Sequence, residues 1–336
     1  MKNGKLCAAV VGCGAISPLH ISGILGADGA SVTALCDIRP ERALARRDEL
    51  APEARVFTDY DEMLSACPEL DVIHLCVPHY LHTPMAVKAL GLGKNVFLEK
   101  PVGTRKEDIE TLLAAEKAST GKITVCFQNR FNDTTLLLDE LAERYEGVTA
   151  ARGVVTWHRD EPYYTESGWR GTYATEGGGV MINQAIHTLD LMLHFCGKPI
   201  SLTATTANHH LKGVIEVEDT CEMTVDFENG AVGCFYATTS YAKDGNIFLE
   251  LETKAGHTLT MLSGLVLDNG TPVPLPENKA ELLGKGCWGT GHARLIGMFY
   301  EALAKGAPMP VALESACVSL NVLLSAYESK DQKVLL

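Results

Sequence analysis

LCAAVVGCGAISPLH, residues 6–20, admits three readings, and the rest of the chain decides between them. It is a buried strand delivering a phosphate-binding turn, the apolar centre of a secretion signal, or a plain glycine-rich bend. The signal reading draws on Lys2 and Lys5 as a positive leader and on Val-Val-Gly-Cys13 as an imitation of a lipoprotein cleavage site. Its apolar run, Leu6 to Val11, is only six residues long, short of the roughly seven to fifteen such a segment needs.

At 336 residues the chain exceeds what one hydrophobic core comfortably holds, so two domains are expected. Hydrophobic residues make up 46% and charged residues 21%, the proportions of an ordinary globular chain. No apolar run approaches the roughly 20 residues that span a bilayer. A net charge of −13 argues against nucleic-acid and anionic-membrane partners, which need a basic face. Eleven cysteines are scattered with no C-x-x-C pair, which removes the usual zinc and thioredoxin spacings, and no metal site is expected. Cys7, Cys36, Cys76, Cys126 and Cys234 fall in apolar, strand-like runs, where cysteine packs as a small hydrophobe. An odd number of scattered thiols fits a reducing cytoplasm, and cytoplasmic localisation is the expectation.

Residues 1–126 alternate short apolar runs with amphipathic stretches. The strand candidates are Leu6–Val11, Ser31–Cys36, Val56–Thr58, Val72–Val77, Asn95–Leu98 and Ile123–Phe127. Helical patterns separate them at Pro18–Leu25, Pro40–Leu50, Tyr60–Ala66, Pro84–Leu90 and Lys106–Ala118. This alternation predicts an α/β domain, a doubly wound parallel sheet with right-handed crossovers and helices on both faces. From residue 127 to 336 the pattern is that of a second, α+β domain. It has helices at Asn132–Tyr145 and Met181–Phe195 and strands at Thr149–Trp157, Ser201–Ala207, Glu218–Phe227, Ala231–Tyr241, Ile247–Thr253 and Thr258–Leu262. Glu228-Asn229-Gly230 predicts a hairpin with a type I′ turn, hence an antiparallel sheet. Helices at His292–Ala304 and Glu314–Glu328 close the chain, the last able to pack back on the first domain.

Within this frame the opening stretch reads as a cofactor turn. Gly12-Cys13-Gly14-Ala15-Ile16-Ser17 matches G-x-G-x-x-G except that Ser17 stands where a third glycine would permit close helix–strand packing. A buried strand precedes it, a helical pattern follows, and Asp37 ends the next strand. An acidic side chain there accepts the ribose hydroxyls of NAD and repels the 2′-phosphate of NADP, so NAD is the expected cofactor. N–H groups at the helix start, around Ala15 and Ile16, face the pyrophosphate. The competing assignment for Asp37 is an N-cap of the helix that starts at Pro40. Arg39 suits adenine stacking or a 2′-phosphate.

Several further motifs lie in one order. GCGAISPLH (12–20), CVPHYLHTPMAVKAL (76–90), FLEKP (97–101), VCFQNRF (125–131), GGGVMINQAIHTLDL (177–191), EDTCEMTVDFENGAVG (218–233) and GTGHARLIGMFYEAL (289–303) together resemble the Gfo/Idh/MocA oxidoreductases. The resemblance implies a Rossmann domain followed by an open-faced, largely antiparallel sheet that carries the substrate site. It also implies an NAD(P)-dependent enzyme acting on CH–OH groups, assembled as a homodimer or homotetramer. Lys100, after Glu99 at the end of a parallel strand, matches the lysine that lies beside nicotinamide and substrate. His187 matches the general base, with Asn183 and Asp190 on the same predicted helical face. Pro78, His82 and Glu99 are placed on the cofactor side and His292 within reach of the substrate. His74, inside a strand, reads as core. At Asn183 the chain departs from inositol-dehydrogenase-like members, which carry aspartate; asparagine orients an imidazole without neutralising its charge.

The loop WHRDEPYYTESGWRGTYATEGGG (157–179) is rich in aromatic and basic residues. Tyr163, Trp169 and Arg170 suit a sugar with an apolar C–H face and a hydroxylated rim, and Arg170 suits a diphosphate. Aromatic packing is the competing assignment for Tyr163. The expected function is thus NAD-dependent oxidation of a sugar, sugar derivative or cyclic polyol. There are two alternatives, of which the first uses the same residues and the second is the one that loss of Lys100 or His187 would have favoured. One retains NAD and oxidises a sugar transiently for elimination, hydrolysis or epimerisation; the other is a non-catalytic sensor of NAD and sugar.

Overall fold

The computed structural model describes residues 4–262, 264–276 and 289–336, so Lys2 lies outside the described residues. The chain forms two compact units. Unit 1 holds residues 4–103, 107–131 and 289–316; unit 2 holds 104–106, 132–276 and 317–336.

In unit 1, β1 (Leu6–Val11) is followed by α1 (Ser17–Gly26), β2 (Ala30–Cys36), α2 (Pro40–Leu50), β3 (Arg55–Phe57) and α3 (Tyr60–Ala66). Then come β4 (Val72–Leu75), α4 (His82–Gly91), β5 (Asn95–Glu99), α5 (Lys106–Ala118) and β6 (Ile123–Cys126). The six strands are parallel in the order β3-β2-β1-β4-β5-β6. The doubly wound sheet expected from strand–helix alternation is therefore present. Its strand order reverses between β1 and β4, where ligands bind beyond the carboxyl ends of such sheets. β4 and β6 are buried at every position, and β1 at all but Leu6. Proline in the first turn of α1 and α2 starts each helix without losing a needed N–H.

Unit 2 contains α6 (Asp133–Arg144), β7 (Val148–Thr156), α7 (Glu161–Thr165), α8 (Val180–Asn183) and α9 (Ile186–Cys196). Its remaining strands are β8 (Pro199–Ala207), β9 (Thr220–Phe227), β10 (Val232–Thr238), β11 (Phe248–Thr253), β12 (Thr258–Leu262), β13 (Leu265–Asp268) and β14 (Thr271–Val273). α10 (Gly291–Lys305) groups with unit 1; α11 (Leu313–Ser329) from Cys317 onward, and β15 (Val334–Leu335), group with unit 2. Nine strands run in the order β14-β13-β12-β11-β7-β10-β9-β8-β15. All neighbours are antiparallel except β7 and β10, which pair in parallel.

α9 covers one face of this sheet because glycine lets it approach. A Cβ at Gly153 would lie 3.2 Å from Thr188, and one at Gly233 3.0 Å from the Met192 sulfur. The opposite face is open and carries a shallow concavity of about 370 Å³ among residues such as Arg152, Thr205, Glu222 and Tyr236. Cys234 lies on that open face and is exposed, against its expected burial. The β9–β10 hairpin forms as expected, but its turn is not type I′. Gly230 takes φ +85° and Asn229 does not, with Gly230 N donating to Phe227 O at 3.0 Å. That is the three-residue loop in which a left-handed glycine follows a type I turn.

The helix expected over Met181–Phe195 is broken. Ala185 N reaches back to Val180 O at 2.8 Å, and Ala185 serves as the N-cap of α9. Asn183 and Gln184 therefore do not continue the helical face of His187 and Asp190. No glycine or proline marks the break in the sequence.

Candidate active site

The glycine turn separates a requirement of the chain from a requirement of a ligand. Gly12 has φ +89°, and a Cβ there would lie 2.2 Å from the Cys76 carbonyl oxygen, so the fold itself demands glycine. A Cβ at Gly14 would meet nothing within 4 Å. Nothing among the described residues explains that glycine, whereas a pyrophosphate pressed against the turn does. Ser17 is buried, and its Oγ donates to Gly14 O at 2.8 Å, closing the turn from within. Ile16 is the N-cap residue of α1 and gives no side-chain cap; Pro18 has no N–H and Leu19 N donates to Ile16 O at 3.1 Å, so the donors for an anion are the N–H groups of the turn before Pro18. Ala15 is exposed beside them.

Asp37 accepts from Cys13 N at 2.8 Å and from Arg39 N at 2.9 Å. The N-cap of α2 is Arg39, so Asp37 does not cap that helix. Its carboxylate ties the turn to the end of β2 and retains lone pairs for ribose hydroxyls. Arg39 is exposed beside it. Ile38, passed over in the sequence, is 86% exposed next to Asp37, an apolar surface that suits an adenine face. These residues fit a dinucleotide.

At the neighbouring strand ends, Pro78 is half-buried before a short helical turn at His79–Leu81. His82 is fully buried, its ring nitrogens 2.9 Å from Val77 O and 2.6 Å from Pro101 O. It thus clamps the segments after β4 and β5, backing the site and not lining it. Burial lowers its pKa, with the carbonyl contacts opposing.

Glu99 ends β5, and half-buried Lys100 follows, joined to Pro101 by a cis peptide bond. His20 Nε2 lies 2.8 Å from Glu99 Oε1, His20 Nδ1 lies 3.0 Å from His74 Nδ1, and His74 Nε2 lies 2.9 Å from Tyr300 Oη. One set of tautomers satisfies all three contacts, with Tyr300 donating to His74, His74 to His20, and His20 to an ionised Glu99. Burial alone would raise the Glu99 carboxyl; the hydrogen bond from His20 holds it well below the usual range. Burial lowers His74 well below its ordinary value and raises Tyr300 well above its own, so both stay neutral. His74 is core, as expected, but it is also part of a chain of polar contacts that no motif announced. His292 is 3% exposed and packs edge-on to His20 at 6.3 Å, with burial bringing its pKa down to about 4. Glu99, His20 and Cys126 present ligand-type atoms within 4.8 Å of one another. Burial holds the Cys126 thiol protonated, and Glu99 is already served by His20, so hydrogen bonding explains the cluster.

Unit 2 holds the other expected residues. Gly177, Gly178 and Gly179 are each forced by packing: a Cβ would fall 2.6 Å from Thr104, 2.0 Å from the Tyr327 hydroxyl and 1.8 Å from Glu218 O. Glu218, buried, accepts from Gly179 N, Met181 N and the Tyr327 hydroxyl at 3.0, 3.1 and 2.9 Å. This fixes the entry to α8. Glu176, also passed over in the sequence, is fully buried and accepts from Gly171 N and from Asn183 Nδ2, both at 2.6 Å. The amide oxygen of Asn183 is then the end turned away from Glu176. Gln184 Nε2 donates to the Tyr163 hydroxyl at 3.0 Å. Tyr163 also packs against Tyr164, Leu211, Ile215 and Val217, so it is both packed and polar-tethered. The Arg170 guanidinium lies 4.3 Å from the Tyr163 ring and 4.9 Å from that of Trp169. His187 stands in the first turn of α9, and Asp190, buried, accepts from Ser319 Oγ at 2.7 Å.

A doubly wound sheet with a nucleotide turn at its switch point, followed by an open-faced mixed sheet, defines a two-unit dinucleotide-binding oxidoreductase fold. Residues 6–127 match the oxidoreductase family with an NAD-binding Rossmann fold, and residues 147–256 match the GFO/IDH/MocA C-terminal domain. The chain belongs to the Gfo/Idh/MocA oxidoreductases. It is 25% identical over 199 residues to the inositol 2-dehydrogenase of Rhizobium meliloti, covering 59% of this chain and 57% of that one. The match thus spans less than two thirds of that relative. It is 27% identical over 263 residues to the D-glucoside 3-dehydrogenase of Escherichia coli, covering 72% of each. In structure it is similar to the WlbA dehydrogenase of Bordetella pertussis in complex with NADH and UDP-GlcNAcA, with a TM-score of 0.86 and 26% identity over 100% of this chain and 99% of that one. Among the described residues no helix is long and apolar enough to cross a membrane.

Proposed function

We propose that the protein is an NAD-dependent dehydrogenase of a secondary alcohol on a pyranoside or related sugar derivative. The observation that carries this reading is the position of Lys100. It stands at the carboxyl end of β5, directly after a buried, ionised carboxylate, in the unit whose glycine turn fits the cofactor. Bound NAD would supply the hydride acceptor. Lys100 donates a hydrogen bond to the substrate hydroxyl and stabilises the charge that develops on its oxygen. His187 takes the hydroxyl proton as the hydride leaves the same carbon. Asn183, held by Glu176 through its amide nitrogen, helps to position the substrate. Tyr163, Trp169 and Arg170 supply the sugar-facing surface. The glucoside and nucleotide-sugar relatives, together with Asn183 in place of aspartate, favour a pyranoside over a free inositol. By resemblance the working form is a homodimer or homotetramer, a point for light scattering.

The test is NADH formation, followed at about 340 nm, with alkyl glucosides, nucleotide sugars and inositols as substrates. Reduction of NAD by a pyranoside is expected. Tight NAD binding with no turnover on any polyol or sugar would overturn the reading in favour of a sensor.

A further inference from the structure

We propose that the substrate is an acidic sugar, whose carboxylate or phosphate is received by the Arg170 guanidinium where it lies against the Tyr163 and Trp169 rings. This deepens the dehydrogenase reading and rests on it. Contact with the two rings fixes the guanidinium plane and leaves its N–H edge for a planar, two-point anion. The Nε of Arg170 is shielded from solvent and has no hydrogen-bond partner among the described residues. An N–H in that position is expensive to leave unbonded.

The neighbouring arginine provides an internal comparison. Arg159 lies over Trp157 and Tyr163 at 5.0 and 5.2 Å, and its charge is answered by Asp244 at 2.8 Å. No carboxylate answers Arg170 among the described residues, in a chain whose net charge is −13. The loop that presents Arg170 is also built. Ser167 Oγ accepts from Trp169 N and Arg170 N at 3.3 and 3.0 Å. Gly171 follows at φ +84°, where a Cβ would lie 2.8 Å from Ile215. Tyr163 joins this loop to the proposed base, since its hydroxyl accepts from Gln184, the neighbour of Asn183 and three residues before His187. A neutral glycoside offers Arg170 no charge; a uronic acid offers a carboxylate and a nucleotide sugar a diphosphate.

Three probes separate these cases: methyl glucoside without an anion, glucuronate with a carboxylate alone, and UDP-glucose with a diphosphate alone. We expect at least one anionic probe to exceed the methyl glucoside about tenfold or more in kcat/KM, and the better one identifies the anion. Arg170→Met should erase the excess, Arg170→Lys should retain part of it, and added salt should shrink it. Calorimetric binding of glucuronate and UDP to the NAD-loaded protein reads the same subsite without turnover. Loss of binding in Arg170→Met supports the assignment even if no probe is oxidised, which would instead count against the dehydrogenase reading. Equal use of all three probes by the wild type, or an anionic preference or anion binding unchanged in Arg170→Met, would overturn it.

Discussion

Asn183 Nδ2 donates to the fully buried Glu176 carboxylate at 2.6 Å, a contact that accounts for asparagine at a position where inositol-dehydrogenase-like sequences carry aspartate. A carboxylate at position 183 would place a half-buried negative charge in contact with the buried Glu176 carboxylate. Asn183→Asp should therefore destabilise the protein by roughly 2–4 kcal/mol at neutral pH. The penalty should shrink on acidification and in the Asn183→Asp, Glu176→Gln double variant. Urea unfolding of the four proteins checks this; an additive double variant with no pH dependence would remove the coupling.

The two turn glycines should fail in different ways. Gly12→Ala meets the Cys76 carbonyl and should cost roughly 3 kcal/mol or more of stability. Gly14→Ala should leave stability within about 0.5 kcal/mol and weaken NAD binding about tenfold or more, because only a ligand approaches that position. Thermal unfolding and NAD titration of both variants separate the fold's requirement from the cofactor's.

Glu218 titrates against its burial. Burial raises its pKa from 4.5 to about 7, with the N–H and hydroxyl donors opposing. A carboxyl raised on folding binds its proton more tightly in the native state, so stability falls as pH rises from 4.5 towards 7. The loss amounts to roughly 3 kcal/mol at about 1.4 kcal/mol per tenfold. Glu218→Gln should flatten this part of the stability–pH curve; an unchanged slope in that variant would contradict the assignment.

Glu99 behaves in the opposite sense. Its depressed pKa contributes stability that is fully present above the ordinary carboxylate range and is lost as pH falls from that range towards the depressed folded pKa. His20→Leu removes the donor and leaves a buried carboxylate unserved, at roughly 3–5 kcal/mol near neutrality. The deficit should narrow at lower pH as Glu99 takes up a proton. Denaturant unfolding of wild type and variant across the acid range tests it, and a deficit constant with pH would contradict it.

The first unit was readable because its signals are periodic and local. Six apolar strands alternate with amphipathic helices, and the turn needs glycine at a fixed spacing from the strand. What escaped the sequence depends on distance along the chain. Glu176 lies in a loop with no periodicity, and its importance comes from a hydrogen bond to Asn183 seven residues on. The contacts linking Glu99, His20, His74 and Tyr300 span up to 226 residues and carry no spacing rule. The break after α8 falls at Asn183-Gln184-Ala185, where no glycine or proline marks it, so a helical pattern passed straight through it. The parallel pairing of β7 with β10 joins strands 82 positions apart, Ala150 to Val232, across the intervening helices. Neighbouring strands in sequence suggested only antiparallel hairpins.

Lys100 is proposed to act on the reacting hydroxyl in an enzyme that binds NAD through its glycine turn. The measurement is NAD affinity and turnover in Lys100→Met, on a sugar the wild type oxidises. Turnover should fall by roughly a hundredfold or more, with NAD affinity changed less than about threefold. Turnover within about twofold of wild type would contradict the account.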